Sequence, residues 1–332
     1  MYIVYYDSGT TNTRAYLLRD GAILQKVSRP VGARNSALSG ERDELLRALA
    51  AMYQDLLGGN GIADHQISGI YMSGMISSPS GLVEVEHIPV PIDCADLGKC
   101  MVRYRDDLYF KRDIWIVPGV KTLKCSGHLA PEEAWRMSIM RGEETEIFGI
   151  LRYFPSLRQG RHVILLPGSH TQAVFVEAGR IVGIFSNITG ELFRAVTEET
   201  ILGAAVAGEE TWKIEDEMVY LGWRNLQEYG MNRALYILRV LHLFSDLDVN
   251  GRRSYLEGVL NGGVVDAAAK ALGEDGGILA IAGDTVQFAL YRAICTRAFP
   301  QIEAVQVLPP EGMEFSVGGL LSVLDSLDVK QR

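Results

Sequence analysis

Long apolar runs are absent from this chain of 332 residues. A membrane-spanning helix needs about 20 consecutive apolar residues, and no stretch of the sequence approaches that length. The N-terminus leads straight into an apolar, strand-like segment and lacks the charged region that begins a secretory signal. We therefore expect neither a membrane segment nor a signal peptide.

Cysteine is scarce, and its number and spacing argue against a zinc-binding protein and against a disulfide-bonded one. The four cysteines, Cys94, Cys100, Cys125 and Cys295, show no C-x-x-C spacing. A zinc site of the usual kind is therefore not expected. Reduced thiols are typical of the cytosol, so the sequence predicts a cytoplasmic protein without disulfides.

Basic residues are also in the minority. Lysine and arginine total 32 against 41 acidic residues, which gives a net charge of −9. A general nucleic-acid surface needs a basic face, so nucleic acid is not an expected partner. The length allows roughly two domains of ordinary size. Hydrophobic residues make up 48% of the chain, which is enough for real cores.

The N-terminal segment predicts a strand, a polar turn, a second strand, a tight turn and a third strand. Apolar residues from Ile3 to Tyr6 end on Asp7, and the turn Ser8-Gly9-Thr10-Thr11-Asn12 follows. The next apolar run meets Asp20-Gly21, a strong hairpin signal. Backbone N–H groups of Gly9, Thr10, Thr11 and Asn12 can surround phosphate oxygens, and Asp7 can hold a divalent cation or its water.

The same design returns in the second half of the chain. The apolar run from Val163 enters a second turn, whose residues are Gly168, Ser169, His170 and Thr171, and a hairpin signal follows at Ala178-Gly179. Gly9 precedes Gly21 by 12 positions and Gly168 precedes Gly179 by 11. Turns of this composition are common, so each alone favours an ordinary hairpin. The pair at matching spacing favours two related lobes that bind phosphate.

Several other segments have a recognisable pattern. Ser39 to Leu57 predicts a helix, N-capped by Ser39. Its apolar stripe, predicted to be core, is Leu45, Leu49, Met52 and Leu56. Gly81 to Ile92 alternates like a partly exposed strand until its prolines stop it. Gly283-Asp284-Thr285 follows a predicted strand, where nucleotide sites occur, although an N-cap by Asp284 is the simpler explanation.

An acidic run stands shortly before the second turn. Pro131 to Leu151 predicts one long helix, which carries Arg141, Gly142 and the glutamates Glu143, Glu144 and Glu146. A solvated helix face explains most such runs. Glycine, however, costs a helix interior about 1 kcal/mol relative to alanine, so we expect a close approach of other atoms at Gly142.

These motifs together resemble the 2-dehydro-3-deoxygalactonokinase family, a sugar kinase branch of the acetate and sugar kinase, heat-shock and actin superfamily. The matching pieces keep the family's order over most of residues 1–202: D-S-G-T-T-N-T-R-A from Asp7, G-M-I-S-S-P-S-G from Gly74, I-W-I-V-P-G from Ile114, M-R-G-E-E-T-E from Met140, L-P-G-S-H-T from Leu166 and T-G-E-L-F from Thr189. The chain departs from the family pattern at three places: Ser8 replaces Trp, Gln172-Ala173-Val174 replaces K-W-V, and the segment from Val259 to Val264 replaces L-L-I-G-A-E.

The resemblance implies an α/β fold with two ribonuclease H-like (actin-like ATPase) lobes, mixed sheets and a nucleotide cleft between the lobes. We place the N-terminal lobe at residues 1–138 and the C-terminal lobe at residues 139–332. The implied activity is ATP-dependent phosphorylation of 2-dehydro-3-deoxy-D-galactonate to its 6-phosphate. ATP and Mg²⁺ are the implied cofactors, the sugar acid and ATP the partners, and a homodimer stays open.

The resemblance also implies roles for single residues. Asp7 positions Mg²⁺, and the two turns bind phosphates with His170 in a supporting role. Arg14 either offsets charge on the transferred group or is simply an exposed strand residue. Glu143 is the favoured base, with Glu144 next. Gly283, Asp284 and Thr285 bind adenosine. The turn with Ser73, Gly74, Met75 and Ser77 faces the sugar acid, and Arg141 either binds its carboxylate or pairs with a helical glutamate.

Alternative functions remain open from the residues. A kinase for a related keto-deoxy acid has the same signals, because one hydroxyl's stereochemistry cannot be read from sequence. The departures at Ser8, Gln172 and Val264 motivate a second alternative, a catalytically weak sugar-acid sensor. An actin- or chaperone-like ATPase that works on a protein partner lacks support, because no long inserted domain is visible.

Overall fold

The computed structural model describes residues 1–39, 42–125, 128–208 and 213–328, with the backbone alone at 38, 39 and 328. The strands in these ranges are β1 (Tyr2–Ser8), β2 (Thr13–Arg19), β3 (Ala22–Arg29), β4 (Ile67–Gly74), β5 (Ile88–Pro89), β6 (Val102–Asp106), β7 (Arg112–Ile116), β8 (Val120–Lys121), β9 (Ile139–Met140), β10 (Arg161–Leu166), β11 (Thr171–Glu177), β12 (Arg180–Asn187), β13 (Gly277–Ile281) and β14 (Ile302–Gln306). The helices are α1 (Ala33–Ser39), α2 (Asp43–Asn60), α3 (Cys94–Lys99), α4 (Glu143–Tyr153), α5 (Thr189–Glu199), α6 (Gly203–Val206), α7 (Asp216–Phe244), α8 (Val249–Leu272), α9 (Thr285–Ala298) and α10 (Phe315–Asp328).

The chain divides into two compact units. The first unit contains Met1–Ser156 together with Pro309–Arg332, and the second contains Leu157–Leu308. The boundary expected at residue 138 lies before α4, whereas α4 belongs to the first unit. The reason is packing against α10, where a Cβ on Gly319 would lie 1.7 Å from the Thr145 carbonyl oxygen. Backbones this close join the C-terminal helix to the first unit.

Each unit is built on a mixed sheet, and the first five strands of the larger sheet are arranged like the five strands of the smaller one. The first unit has the order β3-β2-β1-β4-β7-β6, and the second has β12-β11-β10-β13-β14. In both sheets three antiparallel strands come first, and two further strands then add in parallel. The first sheet ends on antiparallel β6. This repeat confirms the prediction of two ribonuclease H-like units with mixed sheets.

The core of the first unit lies between its sheet and α2. The predicted stripe of α2 is buried, with Leu45, Leu49, Met52 and Leu56 at most 1% exposed, and it packs in one cluster with side chains of β1 and β2. The helix begins at Asp43, and Ser39 instead ends α1. The prediction of a start at Ser39 was therefore wrong, and residues 40 and 41 lie outside the described part.

Two predicted elements of the first unit were wrong. The segment from Gly81 to Ile92 forms only the short strand β5, because the amides of Leu82 and Val85 bond to carbonyls of the 75–77 turn instead of a neighbouring strand. The predicted helix from 131 to 151 is a 3₁₀ segment, the strand β9 and then α4. Gly142, with φ 108°, separates β9 from α4, because no helix passes through that conformation.

The second unit covers one face of its sheet with α8 and α9. Residues of both helices share a buried cluster with β10 and β13. Asp284 caps α9, since its carboxylate accepts a hydrogen bond of 2.8 Å from the Gln287 amide, as expected. No helix in the described ranges has the length and apolar content needed to cross a membrane.

Candidate active site

The first turn, Gly9–Asn12, joins β1 to β2 and is braced from one side. The Gly9 amide donates a hydrogen bond of 2.8 Å to the Asn12 carbonyl oxygen. The amides of Ala33 and Arg34 donate to the carbonyl oxygens of Gly9 and Thr10 at 3.3 and 2.9 Å. Within the described residues, no acceptor is found for the amides of residues 10–12, which are exposed. The turn therefore has amides available for an anion.

A glycine makes this brace possible. A Cβ on Gly32 would lie 2.4 Å from the Gly9 carbonyl oxygen and 2.6 Å from Thr10 backbone atoms. Real Cβ atoms do not come that close to backbone, so only glycine lets the start of α1 approach the first turn.

The first turn opens onto a pocket of about 270 Å³ in the first unit, which we call the first pocket. Its walls come from the ends of β1 and β4 and from the start of α4. The lining residues are Asp7, Ser8, Gly9, Thr10, Thr11, Asn12, Arg14, Gly74, Arg141, Gly142, Glu143 and Glu146. The structure therefore brings the predicted metal, phosphate and base residues Asp7, the first turn and Glu143 into one place.

Asp7 and Arg14 form an ion pair on the floor of this pocket. Nη1 of Arg14 lies 3.3 Å from Oδ2 of Asp7, whose side chain is 15% exposed. Burial raises the pKa of Asp7, and the charge of Arg14 opposes that rise. Arg14 keeps half of its side chain exposed, so it can also meet a ligand anion.

Two glycines bring the pocket walls together. Gly74, with φ 84°, would place a Cβ 2.4 Å from the Ser8 carbonyl oxygen. Gly142 would place its Cβ 3.1 Å from the Cα of Gly74. The close approach expected at Gly142 is confirmed, and it sets the start of α4 against the end of β4.

The two predicted base candidates face different ways. Oε2 of Glu143 accepts a hydrogen bond of 3.0 Å from the Arg141 amide, and Glu143 lines the pocket. Glu144 is fully buried and accepts from the Gly142 amide at 2.8 and 2.9 Å. Burial, and then the charge of Glu143, raise the pKa of Glu144 well above its usual value. Glu144 therefore holds the start of α4 and does not line the pocket.

Glu146 is a pocket residue to which the sequence analysis assigned no role. It lies three residues after Glu143 on α4, a spacing that places both side chains on one helix face. Burial, followed by the charges of Asp7 and Glu143, raises its pKa to about 8. The signal that could have identified it is this i, i+3 spacing.

Arg141 is held by protein atoms. Its Nη1 donates to the carbonyl oxygen and to Oγ of Ser77, both at 2.7 Å, and its Nη2 donates to the Val85 carbonyl oxygen at 3.0 Å. The second nitrogen also lies 3.3 Å from Nδ1 of His87. Both terminal nitrogens thus bind the segment from 77 to 87. This contact is neither of the two that were predicted, a bond to the substrate carboxylate or an ion pair with a helical glutamate.

Among the other predicted substrate residues, only Gly74 lines the first pocket. Ser73 is fully buried and its Oγ lies 2.6 Å from the hydroxyl of Tyr5. Ser77 is also fully buried, and its Oγ donates to the Gly74 carbonyl oxygen at 3.0 Å. Met75 is partly exposed in the same 3₁₀ turn. The two serines therefore shape the turn that presents Gly74 and Met75.

The second turn, Gly168–Thr171, repeats the brace of the first. A Cβ on Gly190 would lie 2.5 Å from the Gly168 carbonyl oxygen. This matches the first turn, where a Cβ on Gly32 would come equally close to the Gly9 carbonyl oxygen. The Glu191 amide, at the start of α5, donates to the Ser169 carbonyl oxygen at 3.1 Å. Nε2 of His170 lies 3.3 Å from a Glu191 carboxylate oxygen, with both side chains half exposed. The two turns thus share their sequence pattern and their glycine-dependent support.

A second pocket, of about 160 Å³, adjoins the second turn within the second unit. Its lining residues are Pro167, Gly168, Thr171, Thr189, Gly190, Phe193, Ile214, Glu257, Asn261, Val286, Gln287, Leu290 and Tyr291. The predicted adenosine residues Gly283, Asp284 and Thr285 are not in this lining and directly precede Val286 in the chain. The α8 residues Glu257 and Asn261 were not predicted.

The first pocket has carboxylates of the kind that bind Mg²⁺. Mg²⁺ in kinases is commonly held by one or two carboxylates together with water and substrate phosphates. Asp7 supplies a carboxylate beside the first turn, with Glu146 in the same lining. No cluster of three or more histidine, cysteine or acidic ligands is found in the described part of the chain. The donors fit a metal that shares its coordination with a phosphate.

Comparison with known proteins gives consistent matches. "Probable 2-dehydro-3-deoxygalactonokinase DgoK1" of Rhizobium meliloti (strain 1021) is 29% identical over 212 residues, which is 64% of this chain and 61% of that protein. The chain therefore matches less than two thirds of that relative's length. The 2-dehydro-3-deoxygalactonokinase of Escherichia coli (strain K12) is 24% identical over 280 residues, which is 84% of this chain and 85% of that protein.

A solved structure shares the fold. It is a Sinorhizobium meliloti protein provisionally assigned as a 2-dehydro-3-deoxygalactonokinase, with a TM-score of 0.73 and 21% identity over 99% of this chain and 96% of that one. The family model described as 2-keto-3-deoxy-galactonokinase matches residues 7–317. Since that match covers nearly the whole length, the chain belongs to the 2-keto-3-deoxy-galactonokinase family.

Proposed function

We propose that this protein transfers the γ-phosphoryl group of ATP to 2-dehydro-3-deoxy-D-galactonate and forms its 6-phosphate. The observation that carries the proposal is the first pocket, in which a turn with available amides faces carboxylates on one helix face. Family membership and the names of the relatives support the substrate.

Phosphoryl transfer depends mainly on positioning and on charge stabilisation. In the proposal, the amides of Gly9, Thr10, Thr11 and Asn12 bind phosphate oxygens, and Arg14 offsets charge on the transferred group. Asp7 holds Mg²⁺, which neutralises charge on the phosphates when it is bound. Arg14 also keeps Asp7 oriented through their ion pair.

Glu143 is the proposed base for the attacking hydroxyl. Its side chain lines the first pocket, and the Arg141 amide orients one of its oxygens. A positioned base contributes about 10²- to 10⁴-fold to the rate. Glu144 is the weaker candidate, because both of its oxygens accept from the Gly142 amide.

The sugar acid is proposed to bind at the turn of Gly74 and Met75. Ser73 and Ser77 support that turn from the buried side, and Arg141 ties it to the segment that ends at His87. In this proposal Arg141 acts by shaping the acceptor site, and its half-buried guanidinium gives a positive field for a carboxylate.

The nucleotide is proposed to use the second unit as well. Amides of Gly168, Ser169, His170 and Thr171 bind phosphate, and the adenosine part occupies the second pocket beside Gly283–Thr285. The glycine brace common to both turns supports this assignment, because it makes the second turn a structural counterpart of the first.

The test is a coupled ATP assay with a panel of keto-deoxy and aldonic acids, run on the wild type and on Glu143→Gln. We expect turnover of 2-dehydro-3-deoxy-D-galactonate and a fall in kcat of at least about a hundredfold in the variant, with ATP binding intact. Higher kcat/KM for the gluconate epimer would assign the related kinase activity. ATP and acid binding without turnover would assign a sensor. An unchanged kcat would remove Glu143 from the role.

Three further statements stay predictions: a cytoplasmic location, the absence of nucleic-acid binding and a homodimer. Two of the three departures that motivated the sensor, Ser8 and Val264, are accommodated in the structure. Ser8 is buried, with Oγ 3.0 Å from Oγ1 of Thr13, and Val264 packs in the core of the second unit. Gln172 is buried with its Oε1 unpaired within the described residues.

A further inference from the structure

The second pocket adjoins the turn that is proposed to bind phosphate, and it carries an acceptor group from α8. The second turn stands at one end, and Glu257 and Asn261 line the pocket from α8. The two residues are four positions apart in the helix, so their side chains lie on the same face. Apolar side chains from three other segments complete the walls, namely Phe193, Ile214, Val286 and Leu290.

Glu257 belongs to a fixed chain of hydrogen bonds. Nδ2 of Asn261 donates to Oε2 of Glu257 at 2.7 Å, and the hydroxyl of Tyr291 donates to Oδ1 of Asn261 at 2.9 Å. Asn261 is 5% exposed and Tyr291 1%. Because a carboxylate can only accept, the amide nitrogen must face Glu257 and the amide oxygen must face Tyr291. The carboxylate is thereby held in one orientation.

One oxygen of this carboxylate is left without a donor. Within the described residues, no group donates a hydrogen bond to Oε1 of Glu257. Burial raises the pKa of Glu257 to about 7, and the Asn261 hydrogen bond opposes that rise. Glu257 is partly exposed to the pocket, so a ligand that brings a donor to this oxygen gains a hydrogen bond to a carboxyl group.

We propose that Glu257, oriented by Asn261 and Tyr291, selects the nucleoside part of the nucleotide by accepting a hydrogen bond from it. The inference rests on the proposed function, since it takes the ligand of the second pocket to be ATP. Phosphate is an acceptor and an anion, so a carboxylate cannot bind it directly. The groups of ATP that can donate to Glu257 are the ribose hydroxyls and the 6-amino group of adenine.

The test measures nucleotide binding by calorimetry, without the sugar acid. The probes are ATP, 2′-deoxy-ATP, 3′-deoxy-ATP, purine riboside triphosphate, which lacks the 6-amino group, and inorganic triphosphate. The wild type is expected to bind at least one of the three nucleoside analogues about tenfold or more weakly than ATP. A deoxy analogue identifies a ribose hydroxyl as the donor, and the purine riboside identifies the amine.

Glu257→Met is expected to bind ATP about tenfold or more weakly and to lose the preference for ATP over that analogue. Its affinity for inorganic triphosphate stays unchanged. Glu257→Gln keeps the side-chain size and is used if the Met variant fails to fold. Its preference for ATP over that analogue is expected to fall by about threefold or more. Glu274→Met, an exposed change in the same unit, is the matched control and leaves every affinity as it was.

A wild type that binds ATP but treats all three nucleoside analogues like ATP overturns the inference and leaves the proposed function standing. A Glu257→Met protein that keeps the preference overturns it as well. Equal loss of affinity for inorganic triphosphate would show general damage to the pocket and would also overturn it. Failure of the wild type to bind ATP at all would overturn the proposed function together with the inference.

Discussion

The carboxyl groups near the start of α4 differ in their hydrogen-bond partners. Glu143, which lines the first pocket, accepts a hydrogen bond from the Arg141 amide, and Glu144, which does not line it, accepts one from the Gly142 amide. Within the described residues, no group donates a hydrogen bond to Glu146, which lies in the same lining as the carboxylate of Asp7. Burial and the charge of Asp7 therefore raise the pKa of Glu146 to about 8, and the proton is retained near neutrality.

This residue makes the stability depend on pH in a definite direction. The pKa of Glu146 is about 8 in the folded protein against a reference value of 4.5. Between these values the folded state binds more protons than the unfolded state, so stability is lost as pH rises through that range. Glu146→Gln cannot ionise. We therefore expect the variant to gain stability relative to the wild type as the pH rises from 5.5 to 9. The gain should be at least about 1 kcal/mol in unfolding free energy, and it should appear as a higher melting temperature relative to the wild type.

The measurement is thermal unfolding of both proteins across that pH range. Glu132→Gln, on an exposed 3₁₀ segment of the same unit, should follow the wild type at every pH. A melting-temperature difference for Glu146→Gln that stays constant from pH 5.5 to 9 would contradict the assignment of the proton to Glu146.

Among the elements, the glycine braces behind the two turns are the most sensitive to substitution. A methyl group on Gly190 meets backbone atoms of Gly168 and Ser169 at 2.5 and 2.9 Å, and neither can move aside as a flexible side chain can. We expect Gly190→Ala to displace the second turn, to weaken ATP binding by about tenfold or more, and to destabilise the protein by about 1–3 kcal/mol.

The matched control is Gly263→Ala. This glycine lies inside α8 and is exposed, and a Cβ added to it would have no neighbouring atom within 4 Å. Replacing it should leave nucleotide binding unchanged and gain up to about 1 kcal/mol, because alanine favours helix. Calorimetric titration and chemical denaturation give both quantities. If Gly190→Ala behaved like this control, the turn would not depend on its brace.

The turns could be predicted from sequence because their signals are local. Asp20 and Gly21 both adopt positive φ, as do Ala178 and Gly179, which is the conformation that such hairpin dipeptides favour. The segment from 131 to 151 could not be predicted in the same way. Its helical pattern is real after Gly142, but the positive φ of that glycine comes from its contact with Gly74, which is distant in sequence.

The same reasoning explains which site residues were found. Residues of the two turns are contiguous in sequence, so their motif identified them. Glu257 and Asn261 lie on α8, many residues after the second turn, and only the packing of α8 against β10 and β11 brings them to the pocket. No local pattern distinguishes them from other polar residues of a helix.

At the scale of the whole molecule, the division into units depends on the C-terminal segment, which carries α10 back to the first unit. The three antiparallel strands that begin each sheet followed from the repeated strand-turn-strand pattern. The return of α10 to the first unit did not, because it depends on contacts between backbones. A Cβ on Gly149 would lie 1.8 Å from the Phe315 carbonyl oxygen, and Gly319 is equally close to Thr145. Such glycine contacts leave no hydrophobic pattern that links α4 to α10.

The two units are expected to respond to different ligands. ADP should slow amide exchange in the second turn, in residues 257–261 and in residues 286–291, because these segments line the second pocket. The sugar acid should slow exchange in residues 73–77 and 141–146, and it should leave residues 257–261 as they are in the free protein. Hydrogen–deuterium exchange with each ligand separately measures both effects.

Local protection is the informative quantity here, because a ligand that binds only the native state stabilises the whole protein by mass action and slows globally opening amides everywhere. The comparison therefore uses amides that exchange by local opening, with the exposed end of α7 near Phe244 as an internal reference. Protection of residues 286–291 by the sugar acid, with none from ADP, would reverse the assignment of the two pockets. Because ADP also carries phosphates, added protection in the first turn agrees with the proposal and does not contradict it.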